Sequence, residues 1–228
     1  MNQISPEGAI ATRIDQIRQT IPSRVRLIAV TKQVPAEVMR LAYAAGIRDF
    51  GESRIQEAAA KQAELQDLQD VTWHMIGHLQ TNKATRALEL FSWIHSVDSL
   101  KLALRLNELA KEKAISLTTC LQVKLRSDPN KFGWTTDELI TDLPALDRCP
   151  HLNIVGLMII PPYGLETEET LAIFTEAAQF ADHIRQQHWQ HIKMEHLSMG
   201  MSEDYPLAIQ AGATMIRLGR VLFGARET

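Results

Sequence analysis

Short apolar runs alternate with longer amphipathic stretches along the 228-residue chain. In the first run, Arg26 to Lys32, four consecutive apolar residues precede Thr31 without helical spacing. This pattern is typical of a strand covered on both faces, as in a parallel sheet. Pro35 fits the first position of the next helix, so Lys32 is predicted to lie where the strand ends and a loop begins.

Seven further apolar runs are each predicted to form a strand. They lie at 47–52, 71–76, 93–97, 117–125, 154–160, 193–197 and 214–218. Helices are predicted at about 35–45, 53–68, 82–90, 99–113, 135–144, 168–187 and 203–211, and an additional first helix begins at Ser5 and Pro6. Two capping boxes are predicted, Ser53-x-x-Gln56 and Thr135-x-x-Glu138.

The strict alternation of strands and helices favours parallel strands joined by right-handed crossovers. Eight such units close naturally into a (β/α)8 barrel, the TIM barrel, here with an extra N-terminal helix. A doubly wound open sheet is the alternative. Because the chain is short for such a barrel, we expect one α/β domain over residues 1–228. In both folds, ligands bind at the carboxyl ends of the strands, where Lys32 is expected.

Composition excludes several classes of function. The formal net charge of -3 and the pI near 6.2 provide no basic surface for nucleic acid or an anionic membrane, although a small anion can still bind locally. Cys120 and Cys149 form neither a CxxC pair nor a metal-ligand spacing and are expected to be reduced. The longest apolar run, 155–160, is too short to cross a bilayer, so a cytoplasmic protein is expected.

Two loops near the end of the chain contain the parts of a phosphate site. The residues are Ser198, Met199 and Gly200 after the seventh predicted strand, and Arg217, Gly219 and Arg220 at the end of the eighth. In TIM barrels these two loops commonly bind phosphate, because backbone N–H groups and a helix N-terminus face the anion. Ordinary turn chemistry is the alternative for the glycines. No GxGxxG or Walker pattern is present, so a dinucleotide or nucleoside triphosphate is not indicated.

A lysine at the first strand end, with a phosphate site at the opposite side of the barrel mouth, suggests a phosphorylated aldehyde held as a Schiff base. A surface lysine beside a core strand is the simpler interpretation of Lys32. The lysine must be neutral to attack a carbonyl, and with an ordinary pKa of ~10.4 only about one in 2,500 is neutral at pH 7. Burial or a nearby cation must therefore lower this pKa, and Arg217 is one candidate.

Several blocks between about Leu27 and Gly224 resemble the YggS/PROSC family of pyridoxal-phosphate-binding proteins, also called pyridoxal phosphate homeostasis proteins. The blocks are Ala29-Val30-Thr31-Lys32, Phe50-Gly51-Glu52-Ser53-Arg54, Trp73-His74-Met75-Ile76-Gly77-His78-Leu79-Gln80-Thr81-Asn82-Lys83, Ser96-Val97-Asp98, Lys131-Phe132-Gly133, Gly156-Leu157-Met158, Leu197-Ser198-Met199-Gly200-Met201-Ser202 and Arg217-Leu218-Gly219. The third and seventh are long enough to be specific. Ser53 departs from the pattern, since the family usually carries asparagine there.

The resemblance implies a fold-type III barrel, like the N-terminal domain of alanine racemase, with pyridoxal 5'-phosphate (PLP) bound covalently to Lys32. It also implies that Arg217 faces the pyridine nitrogen. The implied phosphate ligands are Ser198, Met199 and the N–H groups of Gly200, Gly219 and Arg220. The other candidate cofactor-binding residues are Ser53, His78, Asn82 and Met158.

Three remaining features are expected to be structural. His74 and His78 have HxxxH spacing, but Gly77 and the strand context disfavour a metal site. For Lys131, a loop salt bridge is the expected role. Tyr163 follows two prolines, and loop packing is as consistent with its position as proximity to the cofactor.

An arginine at the pyridine nitrogen keeps that nitrogen neutral and makes PLP a weaker electron sink. Alanine racemase resembles this chain over the barrel alone, and its second domain and the tyrosine that it supplies have no room here. We therefore expect a monomeric protein of PLP and amino-acid homeostasis without substantial turnover. Its candidate partners are PLP-dependent apoenzymes and a regulatory protein. The alternatives are a PLP-dependent racemase or decarboxylase and a Schiff-base aldolase.

Overall fold

The computed structural model describes residues 6–128 and 131–224, and its sheet is a closed barrel of eight parallel strands in chain order. The strands are β1 (Arg26–Val30), β2 (Asp49–Glu52), β3 (Thr72–Met75), β4 (Trp93–Val97), β5 (Leu117–Val123), β6 (Leu152–Ile159), β7 (Ile192–Ser198) and β8 (Met215–Leu218). The barrel is closed by pairing of β8 with β1, with Ile28 opposite Arg217. The predicted barrel is confirmed, and the open sheet is wrong.

Helices connect the strands on the outside of the barrel. They are α1 (Pro6–Thr20), α2 (Ala36–Ala44), α3 (Ile55–Glu64), a 3-10 turn (Thr81–Lys83), α4 (Ala84–Leu90), α5 (Leu100–Glu112), α6 (Thr136–Leu146), α7 (Thr167–Arg185), α8 (Tyr205–Gln210) and α9 (Arg220–Phe223). The predicted apolar face of α1 is buried, at Ile10, Ile14 and Ile17. Its predicted N-cap, Ser5, lies outside the described residues. No helix of the described ranges is long and apolar enough to cross a membrane.

The observed helix ends confirm one prediction and correct two others. Thr135 and Glu138 form the predicted capping box at the start of α6. The box predicted at Ser53 is wrong: α3 begins at Ile55, with Arg54 at the N-cap position and no side-chain cap. One reason is that Ser53 is held against the next loop, since a Cβ on Gly77 would lie 2.4 Å from the Ser53 carbonyl oxygen. Helix α6 also continues past Pro144, which was predicted to end it.

The interior of the barrel is only partly apolar. An apolar cluster inside the barrel contains Ile28, Cys120, Val155, Met158 and Met215. The much larger apolar core lies between the strands and the helices. Four buried polar residues share the barrel interior with the small cluster, and they are His74, His95, Ser198 and Arg217. TIM barrel interiors are usually filled by branched apolar side chains, so this polar group marks a special region of the barrel.

Candidate functional site

Lys32 lies in the turn after β1, at the carboxyl end of the barrel, and is exposed. The strand ends at Val30, two residues earlier than predicted. On one side of the lysine, the Thr31 N–H donates to the Gly51 carbonyl at 3.0 Å. On the other side, Gln33 has a positive φ of 61°. The turn therefore presents Lys32 at the barrel mouth, where parallel barrels bind their ligands.

This turn is held from outside the barrel by four residues that we call the Lys61 cluster: Thr31, Glu52, Glu57 and Lys61. Lys61 Nζ on α3 donates to the Thr31 carbonyl at 2.6 Å, to Glu52 Oε1 at 2.7 Å and to Glu57 Oε1 at 2.6 Å. The Thr31 hydroxyl also donates to Glu52 Oε1 at 2.6 Å, and the Gln33 N–H donates to Glu57 Oε1. The cluster therefore holds both chain neighbours of Lys32.

Glu52 is a fully buried carboxylate of the Lys61 cluster. Its side chain is fully buried, and its second oxygen, Oε2, has no hydrogen-bond partner among the described residues. Burial raises the pKa of Glu52, although hydrogen bonds from Lys61 and Thr31 act in the opposite direction. The Glu52 carboxylate therefore depends on Lys61 to remain ionised inside the protein.

Arg217 lies on β8 and is only 4% exposed. Its Nη1 donates to the Ser198 carbonyl at 2.5 Å and to Ser198 Oγ at 2.7 Å, and its Nη2 donates to the Ile159 carbonyl at 2.9 Å. Burial lowers the pKa of Arg217 to about 10, which leaves the guanidinium protonated at neutral pH. The side chain is thus a fixed cation below the barrel mouth.

A line of hydrogen bonds continues from Arg217 across the barrel, and we call it the barrel hydrogen-bond chain. Ser198 Oγ lies 2.8 Å from His95 Nδ1, His95 Nε2 lies 2.9 Å from His74 Nδ1, and His74 Nε2 lies 2.9 Å from Asp49 Oδ1. Burial lowers the pKa of both histidines, that of His95 well below its ordinary value. The two rings are therefore neutral at pH 7.

The predicted phosphate loops lie next to Lys32 rather than opposite it, because β8 pairs directly with β1. Gly200 has a φ of 95°, and a Cβ there would lie 2.7 Å from the Cβ of Ala208. Within the described residues, the backbone N–H groups of Gly200, Gly219 and Arg220 have no hydrogen-bond partner. We call these three donors, which follow the adjacent strands β7 and β8, the cradle, because N–H groups without partners at such a place suit an anion.

The other residues predicted for the phosphate have most of their groups engaged. Met199 is fully buried in the core outside the barrel, and its N–H donates to the Met215 carbonyl at 3.1 Å. The Ser198 hydroxyl contacts Arg217 and His95. The Arg220 side chain pairs with Glu203 at 2.7 Å, so its backbone N–H is the group left near the cradle.

The structure separates the remaining predicted cofactor contacts. Met158 is fully buried in the apolar cluster inside the barrel. Ser53 and His78 line a cavity of about 240 Å³ between the loops after β2 and β3. Asn82 is exposed in the 3-10 turn. Met158 thus packs in the apolar cluster of the interior, whereas Ser53 and His78 line the same cavity, and the predicted contacts of all four with a cofactor stay predictions.

His78 is held in place on two sides. Its Nδ1 lies 2.7 Å from Asp98 Oδ2, and its ring stacks on Phe132 with centroids 3.5 Å apart.

The salt bridge predicted for Lys131 is present, with Asp128 at 3.8 Å, and the Lys131 Nζ also donates to the carbonyls of Ile160 and Pro161. The HxxxH pair is split, since His74 belongs to the barrel hydrogen-bond chain.

Sequence reasoning missed the residues that support the site. His95 and Asp49 were given no role, and Glu52, Glu57 and Lys61 were not recognised as a cluster. One signal was available, because side chains of a strand alternate between its two faces. Polar residues at inward positions of β3, β4 and β7 could have been identified as a buried polar group.

The fold and the site define a barrel of the alanine racemase type, since the family described as "Alanine racemase, N-terminal domain" matches residues 7–227. An alanine racemase from Clostridium difficile superposes with a TM-score of 0.75 over 96% of this chain and 57% of its own, at 15% identity. At that identity, the likeness shows the fold alone.

Relatives of higher sequence identity show which family within this fold the chain belongs to. The pyridoxal phosphate homeostasis protein of Synechocystis is 50% identical over 92% of this chain and 96% of its own, and that of Escherichia coli is 34% identical over 96% and 97%. The structure of PipY from Synechococcus elongatus with PLP bound has a TM-score of 0.91 and 52% identity, covering 94% of this chain and all of PipY. The chain therefore belongs to the pyridoxal phosphate homeostasis protein family, which confirms the family predicted from its sequence blocks.

Proposed function

We propose that this protein binds PLP as a Schiff base on Lys32 and takes part in PLP and amino-acid homeostasis. The observation that carries the proposal is the pairing of two features at adjacent strand ends. Lys32 follows β1, and the N–H groups of Gly200, Gly219 and Arg220, which have no partner among the described residues, follow β7 and β8. An amine and an anion cradle at the same mouth of the barrel suit an aldehyde that carries a phosphate. The PLP-bound PipY structure supports the same ligand.

The residues around this position fit the cofactor in distinct ways. The phosphate is assigned to the three backbone donors, because the Ser198 hydroxyl already serves Arg217 and His95 and the Met199 N–H is occupied. Gly200 is required in the cradle, since any side chain there would overlap Ala208. Arg217 is assigned to the pyridine nitrogen, as its guanidinium is fixed by three hydrogen bonds inside the barrel.

Arg217 also bears on the question of turnover. Bound PLP supplies an aldehyde that forms and exchanges Schiff bases with amines, and it stabilises carbanions best when an acid protonates its ring nitrogen. A guanidinium with a pKa of about 10 is a poor proton donor at neutral pH. We therefore propose a protein that holds and releases PLP, with PLP-dependent apoenzymes as recipients, rather than a racemase or decarboxylase.

Borohydride reduction of the PLP-loaded protein followed by peptide mapping tests the attachment. We expect a pyridoxyl mass increment on Lys32, loss of the yellow colour in Lys32→Ala, and wild-type colour in the control Lys101→Ala, which changes an exposed lysine of α5. A pyridoxyl group on another lysine would overturn the proposal. A colourless protein under saturating PLP would favour the aldolase alternative.

Turnover needs a separate measurement. The PLP-loaded protein is incubated with each amino acid in deuterium oxide, and exchange of the α-proton is followed by NMR. We expect no exchange above that of free PLP. Exchange that depends on Lys32 would instead assign a racemase-type enzyme.

A further inference from the structure

When both histidines are neutral, the barrel hydrogen-bond chain has only one arrangement of protons that satisfies every link. A carboxylate can only accept, so Asp49 sets the direction from its end, and Arg217, which can only donate, is compatible with it. His74 must donate from Nε2 to Asp49 and accept at Nδ1. His95 must then donate from Nε2 to His74 and accept at Nδ1. Ser198 therefore gives its hydroxyl proton to His95 and turns a lone pair toward Arg217.

The opposite direction costs one more proton. If His74 donated from Nδ1 while still donating to Asp49, it would be an imidazolium in a fully buried position. Burial opposes that charge on His74 and outweighs its stabilisation by Asp49, so the pKa of His74 is lowered, and Arg26 lowers it further. In the reversed chain, the His95 and Arg217 protons would both face Ser198 Oγ, and the hydroxyl proton of Ser198 would be released toward a ligand. The direction of the chain thus decides what Ser198 can offer.

We propose that Asp49, acting through His74 and His95, is a positioning residue for Ser198 beside Arg217: it sets the direction of the chain so that the Ser198 hydroxyl donates to His95 and has no proton to give to a ligand. Asp49 begins β2, at the amino-terminal end of the barrel, whereas Arg217 lies on β8, one strand pairing from Lys32. The inference deepens the proposed function, since it rests on Arg217 as the residue that faces the PLP ring.

Nitrogen-15 NMR of histidine-labelled protein without PLP tests the direction directly. The chain contains eight histidines, and single His→Gln variants assign the signals of His74 and His95. The expected result is a neutral ring with its proton on Nε2 for both residues. A proton on Nδ1 of His95 would overturn the proposal, because Ser198 would then be free to donate. This measurement on the wild-type protein does not depend on whether a variant folds.

The variant Asp49→Asn tests whether Asp49 determines the position of the proton on His95. An amide can donate as well as accept, so the reversed chain no longer needs an extra proton. We expect a second His95 signal with the proton on Nδ1 and a Kd for PLP raised about 3- to 10-fold, the range expected for one misdirected hydrogen bond. Unchanged His95 signals together with an unchanged Kd would overturn the role of Asp49.

The matched control is Thr119→Val, which removes another buried hydroxyl of the barrel. Thr119 Oγ1 has no hydrogen-bond partner among the described residues, so the histidine signals and the Kd for PLP are expected to stay at wild-type values. A shift in this control equal to that of Asp49→Asn would attribute the effect to general loosening and overturn the proposal. Failure of the proposed function would appear elsewhere, as absent labelling of Lys32 with the NMR result intact.

Discussion

Two groups of residues support the site from different sides, and they stabilise it through different interactions. The Lys61 cluster lies outside the barrel beside β1 and β2, and it joins one cation to two carboxylates around the turn that carries Lys32. The barrel hydrogen-bond chain lies inside, and it has charges only at its two ends. Removing one charge from a buried charge cluster destabilises the protein, because the partners stay buried without a counter-charge. A chain of neutral groups loses hydrogen bonds when one proton lies on the wrong atom, even if every residue remains.

The largest effect is expected from breaking the charge cluster. Lys61→Met keeps the length of the side chain but leaves Glu52 and Glu57 without their shared cation. We expect a loss of about 3–5 kcal/mol in the free energy of unfolding, as for other buried pairs that lose one partner. Urea denaturation without PLP measures it.

The control for that experiment is Arg86→Met, which breaks an exposed ion pair with Glu89. Such pairs contribute less than about 1 kcal/mol. Equal losses in Lys61→Met and Arg86→Met would show that the burial of the Lys61 cluster has no energetic consequence.

The next largest effect concerns the cradle between the two supports. In Gly200→Ala, the new methyl group meets Ala208 at 2.7 Å in addition to the strain of a positive φ. We expect a destabilisation of about 2–3 kcal/mol, from overpacking and backbone strain together, and weaker PLP binding. Gly164→Ala is the matched control, because it has a φ of 79° and no atom within 4 Å of the new Cβ. There, only about 1 kcal/mol from the backbone is expected.

Ser198→Ala interrupts the barrel hydrogen-bond chain between His95 and Arg217. It removes one partner of Arg217 and one of His95, which leaves two buried polar groups less satisfied. We expect a loss of about 1–3 kcal/mol in unfolding free energy, measured by urea denaturation. Thr119→Val, which removes a hydroxyl without a partner in the described ranges, should cost less. If both variants lost the same stability, the chain would contribute nothing specific.

The sequence was sufficient to predict the barrel and the loops of the site. Eight apolar runs at regular spacing specify the strands, and parallel strands place their carboxyl ends, with Lys32, Gly200 and Gly219, at one mouth. The prediction that the glycine loops lie opposite Lys32 was wrong, because β8 pairs directly with β1. These predictions depend on local patterns and on one topological rule. They did not require any knowledge of which side chains touch.

The two supports could not be predicted in the same way. The barrel hydrogen-bond chain joins residues of β2, β3, β4, β7 and β8, and the contact between His95 and Ser198 crosses the closed interior. Alternation along a strand shows which residues point inward, but it does not show which ones meet. The Lys61 cluster likewise depends on how α3 packs on β1. Local rules also failed at Ser53, where packing against Gly77 overrides a good capping sequence.

The smallest effect is the response of the two supports to acid, and their signs are opposite. His74 and His95 have pKa values below the ordinary 6.5, mainly because they are buried. The unfolded chain therefore binds more protons, and their contribution to stability is complete above pH 6.5 and is lost as the pH falls. Glu52 has a pKa raised by burial above 4.5, so its contribution increases as the pH falls through that raised value.

We therefore expect the free energy of unfolding to decrease by about 1 kcal/mol between pH 6.5 and 5.5, the contribution of one histidine with a strongly lowered pKa such as His95, and His74 adds to this decrease. Glu52→Gln should make the decrease larger, because the opposing contribution is removed while the hydrogen bonds of Oε1 can be kept. Arg26, Arg217, His196 and Asp49 surround the two histidines and are unchanged in that variant. The exposed His183→Gln serves as the control and should retain the wild-type slope. A slope that was flat in both wild type and Glu52→Gln would mean that the two rings bind protons as readily in the folded protein as in the unfolded chain, and burial would then not favour their neutral form.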